Sequence, residues 1–361
     1  MTKPVARCNR SVMNGNDPSF AREATDAVRD HLGSLTPAAW ALVVVSLVVL
    51  AFAFAVRPGL FVDNAIGGLV YGMILVMIAL GLSLILGLMG VVNFAHGALF
   101  MLGAYFAYQV VGAMGLPFWA ALVVAPVAVG VVGLAMEVSI LRRIYDQDPI
   151  IGLLATFGLT LMVQEAVRAV WGAAPLGFDV PPVLQGGTDL GVTTVGTFRI
   201  FTVLVATVAV VAVYLLISRT DFGLTVRAGV QDDEMTEFLG VDLPLRFTAM
   251  FCLGAAIAGL GGVLRAADSG LGTSMGQTFV ILAFVVVVVG GVGSLFGSVV
   301  SGVLIGEATF MTPVVLTALS TVTGVAAFDV SGIQGLVPYL VMIIVLLVRP
   351  RGLFGEEGLM E

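Results

Sequence analysis

Lysine is almost absent from this chain: Lys3 is the only one, and the other basic residues are arginines. Charged residues of either sign make up only 11% of the 361 residues, whereas soluble domains average about 25%. Because 59% of the residues are hydrophobic, there is too little polar side chain to cover a water-soluble core of this size. The composition therefore excludes soluble, disordered and collagen-like proteins and predicts an integral membrane protein.

Residues that bind nucleotides, metals or redox cofactors are equally scarce. A phosphate-binding P-loop needs a lysine after its glycines, and Lys3 is not in such a context. Two cysteines, Cys8 and Cys252, and two histidines, His31 and His96, cannot form a disulfide framework, a haem site or a zinc site. We therefore expect a non-enzymatic transport subunit without metal, cofactor or nucleic-acid partner. If transport is driven by ATP, another polypeptide must bind the ATP.

Long apolar runs separated by short polar segments predict about ten transmembrane spans. Backbone amides in hydrocarbon must be satisfied within each segment, and these runs are too long and continuous for barrel strands. The predicted fold class is therefore all-α, a polytopic transmembrane helical bundle. The predicted spans are residues 38–56, 65–89, 98–111, 119–141, 150–171, 200–217, 248–267, 278–292, 298–316 and 336–348.

The polar ends of the chain and the arginines between spans predict its domains and orientation. We expect a polar cytoplasmic tail over 1–37, a transmembrane domain over 38–348 and a cytoplasmic tail over 349–361. Ten spans place most interspan arginines on one side, which the positive-inside rule assigns to the cytoplasm. The protein should therefore be a multi-pass plasma-membrane protein with both termini cytoplasmic. The outer exceptions are Arg57, Arg199 and Arg265.

Glycine is abundant, at 45 residues, and it clusters in two uncharged regions, one in each half of the chain. Small residues let transmembrane backbones pack closely, and they also permit broken helices that face a cavity. The two clusters, with five spans per half, predict an inverted internal repeat. They comprise Gly81, Gly87, Gly90, Gly97 and Gly103, and Gly290, Gly291, Gly293, Gly297, Gly302 and Gly306.

A few polar residues lie where the lipid environment makes them costly. Asn93 and His96 occupy the break between the second and third spans, and with Gly97 they are predicted to line or gate a path. The alternative is a helix cap plus a histidine with satisfied hydrogen bonds. Glu307 lies near the middle of span 298–316, where an ionised carboxylate costs about 2.5–3.5 kcal/mol. We predict a path or gate role for Glu307, the alternative being an internal ion pair.

The longest predicted cytoplasmic loop, 218–247, contains a short amphipathic pattern. Acidic residues alternate with apolar ones in this loop, which predicts a helix ended by a glycine cap. Such a helix beneath a bundle suits docking into a groove on a cytosolic partner, although a plain connector has the same pattern. The candidate docking residues are Arg227, Asp232, Asp233, Glu234, Glu237, Phe238, Leu239 and Gly240.

These segments together resemble a known transporter family. The sequence ALGLS at 79–83, followed by GVVNFAHGALFMLGAY at 90–105, resembles the amino-terminal half of LivH-like permeases of branched-chain amino-acid ABC importers. The loop 227–240, VGGVGSLFG at 289–297 continuing to Glu307, and RPRGLFG at 349–355 are also similar, so the resemblance covers about residues 62–355.

The resemblance implies a function and a set of partners. It implies a second, LivM-like permease, two cytosolic ATP-binding subunits and an extracellular solute-binding protein, with loop 227–240 transmitting ATPase closure to the bundle. Urea and short-amide permeases share most of these motifs and are the first alternative. A secondary transporter with a coupling proton on Glu307 or His96, and a membrane scaffold protein, are the further alternatives.

Overall fold

A computed structural model of the chain describes residues 37–90, 92–144, 147–189, 191–325 and 332–355. The chain divides into two compact units, Met1–Phe52 and Ala53–Glu361. Of the first unit, the structure describes the helical residues 37–52, so nearly all of the predicted tail 1–37 lies outside the described residues. The division falls within a helix, and the expected domain boundary at residue 37 stays a prediction.

Twelve α-helices make up most of the described chain, which confirms the predicted all-α class. They are α1 (Pro37–Val56), α2 (Pro58–Met89), α3 (Ala95–Tyr108), α4 (Phe118–Ser139), α5 (Pro149–Trp171), α6 (Thr197–Arg219), α7 (Asp221–Gln231), α8 (Asp233–Phe238), α9 (Leu243–Ser269), α10 (Met275–Gly290), α11 (Leu295–Thr323) and α12 (Val337–Val348). Two short antiparallel strands, β1 (Gly187–Asp189) and β2 (Thr194–Gly196), lie between α5 and α6.

Each of the ten predicted spans overlaps one of these helices, and α7 and α8 occupy the predicted loop. In the described chain, six helices are long and apolar enough to cross a membrane: α2, α4, α5, α6, α9 and α11. The chain is thus a multi-pass membrane protein. Three other helices that match predicted spans are shorter: α3 has 14 residues, α10 has 16 and α12 has 12. At 1.5 Å per residue they reach about 21, 24 and 18 Å, less than the roughly 30 Å of hydrocarbon.

The chain leaves the helical conformation between α2 and α3, inside the bundle. Gly90 ends α2 in the left-handed conformation, with a φ of 64°. A residue with a side chain would be strained in this conformation. The hydroxyl of Thr156 on α5 accepts a hydrogen bond from the Phe94 amide at 3.2 Å and lies 3.4 Å from the Val92 carbonyl. Thr156 therefore supplies an acceptor for the Phe94 amide, a backbone group that a continuous helix would have satisfied itself.

The central helices pack at backbone distance through their glycines. A Cβ at Gly72 on α2 would lie 2.9 Å from the Gly302 carbonyl oxygen on α11, and one at Gly306 would overlap the Gly68 carbonyl oxygen. Backbones this close gain dispersion energy over a long contact, which is the main attraction between helices in lipid. Gly302 and Gly306, from the second predicted glycine cluster, therefore serve close packing at the crossing of α2 with α11.

Helix α3 is enclosed by α9 and α10 in the same way. Twelve of its 14 residues are buried. A Cβ at Gly103 would overlap the Gly259 carbonyl on α9, and a Cβ at Gly97 would overlap the Gly276 carbonyl on α10. By contrast, only 22% of the most apolar 18-residue stretch of α6 is buried, so much of the surface of α6 is available to lipid. The short helix α3 is thus a central element. The expected inverted repeat stays a prediction.

The two ends of the bundle carry different arginines, Arg199 at one end and Arg142 at the other. At the Arg199 end, Arg199 donates to Asp63 at 2.9 Å and joins the beginnings of α2 and α6. The opposite, Arg142 end holds the junction of α10 with α11 and the segment 349–355. There the amides of Leu353 and Phe354 donate to the carbonyls of Val289 and Gly290 at 2.8 and 2.9 Å. The described part of the predicted tail 349–361 is thus fixed to α10.

A buried carboxylate joins α4 to α9 at the Arg142 end. The side chain of Glu137 on α4 is 1% exposed and accepts hydrogen bonds from Arg142, at 3.3 Å, and from the Thr248 hydroxyl on α9, at 2.9 Å. Burying a carboxylate is costly unless it is paired and hydrogen-bonded, and these two donors supply both conditions. This network was not anticipated from the sequence.

We predict that Gly306→Ala destabilises the protein by about 1–3 kcal/mol, because the new methyl overlaps the Gly68 backbone and must push α2 away from α11. Thermal unfolding of the purified protein in detergent measures this effect. Gly158→Ala is the matched control, since a Cβ at Gly158 meets no described atom within 4 Å. Equal unfolding midpoints for the two variants would contradict the role assigned to Gly306.

We predict that Glu137→Gln lowers stability by about 1–3 kcal/mol, because it removes the ion pair and weakens the hydrogen bond from Thr248. The control is Glu165→Gln, which removes the exposed pair between Glu165 and Arg168 at 2.6 Å. Exposed pairs contribute about 0–1 kcal/mol, so this control should unfold close to the unmodified protein. A larger loss for Glu165→Gln than for Glu137→Gln would refute the importance of the buried network.

Candidate functional site

Asn93 and His96 are fully enclosed where the chain enters α3. Their exposed fractions are 1% and 0%. The His96 Nε2 lies 3.1 Å from the Ile78 carbonyl oxygen, and because a carbonyl only accepts, this nitrogen carries the proton. The His96 Nδ1 and both polar atoms of the Asn93 side chain have no hydrogen-bond partner among the described residues. Three buried polar atoms are therefore unsatisfied at this one break.

The surroundings of His96 explain why its ring can be held there. A Cβ at Gly81 on α2 would lie 2.7 Å from the His96 Nε2 and 2.5 Å from the Gly254 carbonyl oxygen on α9. Only a glycine at position 81 leaves room for the ring between these two backbones. Gly97 packs directly against α10. It does not line either of the two cavities at the Arg199 end. The path role assigned to Asn93, His96 and Gly97 stays a prediction.

Glu307 lies on α11 where that helix crosses α2. A Cβ at Gly68 would lie 3.0 Å from the Glu307 Cα and 3.1 Å from one carboxylate oxygen. The residue is half-buried, and its carboxylate has no hydrogen-bond or ion-pair partner among the described residues. The ion-pair alternative for Glu307 is therefore not seen within the described chain, and its path or gate role stays a prediction.

The predicted loop 218–247 is shorter and more helical than expected. Helix α6 continues to Arg219 and α9 begins at Leu243, so α7 and α8 fill most of the interval. Asp232 does not lie on the face of a helix as predicted. Its side chain accepts from the Met235 amide at 2.9 Å, and Asp232 therefore caps α8, because this short polar side chain satisfies a free helix-start amide.

The predicted glycine stop lies just after α8. Gly240 has a φ of 85°, and its amide donates to the Glu237 carbonyl at 2.8 Å. Arg227, on α7, is exposed, and so are Glu234 and Glu237 on α8. Asp233 begins α8. The docking role of this segment stays a prediction.

Apolar side chains at the end of α8 point away from the bundle. Phe238 and Leu239 are each 78% exposed, and Met235 is 56% exposed. The buried member of α8 is the small polar Thr236. The helix therefore presents these apolar residues outward. We call Met235, Phe238 and Leu239 the α8 apolar patch.

Two adjoining cavities open at the Arg199 end, and the sequence did not predict them. The first has a volume of about 270 Å³ and is lined by residues of α2, α9 and α11, including Tyr71, Arg265, Asp268 and Thr309. The second, of about 380 Å³, shares Arg265 with the first. The available signal was the position of Arg265, an arginine on the side where the positive-inside rule expects few.

Comparisons with known proteins agree with this architecture. Residues 64–346 match the family model described as branched-chain amino acid transport system, permease component. The permease protein BraD of the high-affinity branched-chain amino acid transport system of Pseudomonas aeruginosa is 27% identical over 312 residues, covering 82% of this chain and 96% of BraD. The corresponding LivH protein of Escherichia coli K12 is 26% identical, with the same coverage.

A second type of relative is also similar. The permease protein LivM of Salmonella typhimurium is 28% identical over 320 residues, covering 82% of this chain and 72% of LivM. The family match spans most of the transmembrane helices described above, including the α2–α3 break, the α7–α8 segment and Glu307. The chain belongs to the family of permease components of branched-chain amino acid transport systems.

Proposed function

We propose that this chain forms the translocation path for branched-chain amino acids in an ABC importer that is powered by ATP hydrolysis on separate subunits. The observation that carries the proposal is the family match over residues 64–346. It is supported by the scarcity of lysine, because a chain with Lys3 alone has no P-loop of its own. The resemblance of the chain to both LivH and LivM supports pairing with a second, related permease.

The proposed orientation places the Arg142 end in the cytoplasm. Arginines concentrate at this end, as the positive-inside rule requires. They are Arg142, Arg143, Arg219, Arg227, Arg246, Arg349 and Arg351. In this orientation the cavities at the Arg199 end face the exterior, where a solute-binding protein would deliver its ligand, and both chain termini lie in the cytoplasm.

The α8 apolar patch is proposed to dock on a cytosolic ATP-binding subunit. Side chains such as Phe238 that are 78% exposed gain apolar burial only when a partner covers them. The glycine turn at Gly240 and the Asp232 cap hold α8 in a fixed position between α7 and α9. A partner that closes on ATP binding can therefore push on α9 through this segment.

The unsatisfied atoms of Asn93 and His96 are proposed to belong to the gate. A buried polar atom that keeps no partner costs about 1–3 kcal/mol, so these atoms favour a rearrangement that brings them one. When the bundle opens, water or solute can satisfy these atoms. That gain would reduce the free-energy difference between the two states of the bundle to the few kcal/mol that a partner can supply.

We predict that Phe238→Asp lowers leucine uptake by about tenfold or more, because a charge in the centre of an apolar contact removes its largest anchor. The measurement is initial uptake by cells expressing the whole importer, together with co-purification of the ATP-binding subunits. Val183→Asp is the matched control, since Val183 is also 78% exposed but lies between α5 and α6, outside the α8 patch. Uptake in Phe238→Asp equal to that of the control would mean that α8 is a connector.

The unpartnered carboxylate of Glu307 is the specific observation that favours a proton-coupled secondary transporter. ATP-driven import predicts that collapsing the proton gradient leaves the initial rate of leucine uptake unchanged while ATP is maintained. Right-side-out membrane vesicles loaded with ATP, or proteoliposomes that contain the whole importer and are loaded with ATP, allow this measurement. Uptake that stops with the gradient, and that no longer responds to the gradient in Glu307→Gln, would replace the ABC proposal with proton coupling.

A further inference from the structure

The cavity lined by α2, α9 and α11 at the Arg199 end carries two charged side chains from α9. Arg265 and Asp268 lie on the last turns of α9, with side chains 26% and 27% exposed. Their closest charged atoms, Arg265 Nη1 and Asp268 Oδ2, are 3.9 Å apart, which is too long for a hydrogen bond. The Arg265 Nη1 is buried and has no hydrogen-bond partner among the described residues. Arg265 therefore has unused N–H donors in a partly dry site.

The second arginine of this cavity is differently placed. Arg199 donates to Asp63 at 2.9 Å, so its guanidinium is already engaged between α6 and α2. The Arg265 guanidinium instead lies 5.6 Å above the ring centroid of Phe279, on α10. A ring face holds a cation in position without occupying its N–H donors. Arg265 is thus positioned to accept an anionic group from the cavity.

Other lining residues of the cavity are apolar. They include Val70 and Ile74 from α2 and Phe310 from α11. The ring of Tyr71 lies 5.7 Å from that of Phe310 on α11 and 6.1 Å from that of Phe279 on α10, so Tyr71 packs against rings of both helices. The cavity, of about 270 Å³, is close to the lower end of small-ligand pockets, which span roughly 300–1,000 Å³. Its lining combines an opposite-charge pair with aliphatic and aromatic surface.

We infer that Arg265 and Asp268 bind the α-carboxylate and the α-ammonium of an aliphatic amino-acid zwitterion, with the aliphatic side chain against Val70, Ile74 and Phe310. The inference rests on the proposed function and adds the binding groups. The carboxylate gives the Arg265 guanidinium charge-assisted hydrogen bonds that Asp268 does not supply at 3.9 Å. The ammonium bonds to Asp268, which also accepts a hydrogen bond from the Ser269 hydroxyl at 2.5 Å. A neutral solute such as urea has no carboxylate for the unused N–H donors of Arg265 and no ammonium for Asp268.

The test uses the full-length chain purified into lipid nanodiscs, with the thermal unfolding midpoint as readout. A ligand that binds the folded protein raises this midpoint in a saturable way. We expect L-leucine at millimolar concentrations to raise it. Leucinamide lacks the carboxylate, and 4-methylpentanoate lacks the ammonium. Each should bind at least about tenfold more weakly than leucine, because one charged hydrogen bond is lost.

Variants separate recognition from folding. Arg265→Gln and Asp268→Asn should weaken leucine binding by about tenfold to a hundredfold, and Arg265→Lys should recover part of the loss because it keeps the charge. Arg168→Gln is the matched control. Arg168 pairs with Glu165 at 2.6 Å and lines neither cavity. Arg265→Gln should also remove the preference for leucine over leucinamide, which a general loss of structure would not do.

The outcomes distinguish this inference from the proposed function. Equal leucine shifts in Arg265→Gln and Arg168→Gln, or a wild-type protein with no leucine-dependent shift, would overturn the zwitterion site even if the assembled importer takes up leucine. Leucine uptake by the assembled wild-type importer is a separate assay, and its failure would refute the proposed function. Equal shifts with urea and with leucine would also overturn the inference.

Discussion

Close contact between helix backbones is the constraint on which the rest of this structure depends. Lipid supplies no hydrophobic force to press apolar helices together, so their attraction comes from packing over a long interface. Glycines at the crossings of α2 with α11 and of α3 with α9 and α10 remove the side chains that would hold the backbones apart. The glycine at position 81 also leaves room for the imidazole of His96. The α2–α3 break lies close enough to α5 for the Thr156 hydroxyl to accept a hydrogen bond from the Phe94 amide.

Polar groups in this bundle have three different environments, and each has a different consequence. Glu137 is fully paired and joins α4 to α9, which favours one arrangement of these helices. Asn93 and His96 are buried with side-chain atoms that have no hydrogen-bond partner among the described residues. Arg265 borders a cavity with unused N–H donors. In the proposed function these three environments would serve as a fixed joint, a gate and an entry site.

The α8 segment shows how far pattern analysis could go for the candidate site. Alternating acidic and apolar residues correctly indicated a short helix followed by a glycine turn, because these are local properties of the chain. The sequence placed Asp232 on the helix, whereas its side chain caps the first turn. Whether Phe238 faces the bundle or the solvent depends on how α7 and α9 orient α8, and a six-residue pattern does not contain that information.

Composition and hydrophobic runs by themselves determined that this chain is a polytopic helical membrane protein, because bilayer thickness and backbone hydrogen bonding leave few alternatives. The tertiary structure alone decided which polar residues meet. Glu137 and Thr248 are 111 positions apart in the chain, and Arg265 and Tyr71 reach one cavity from different helices. Such meetings follow from the rotation and depth of each helix, which close packing between glycines sets and which local sequence patterns do not encode.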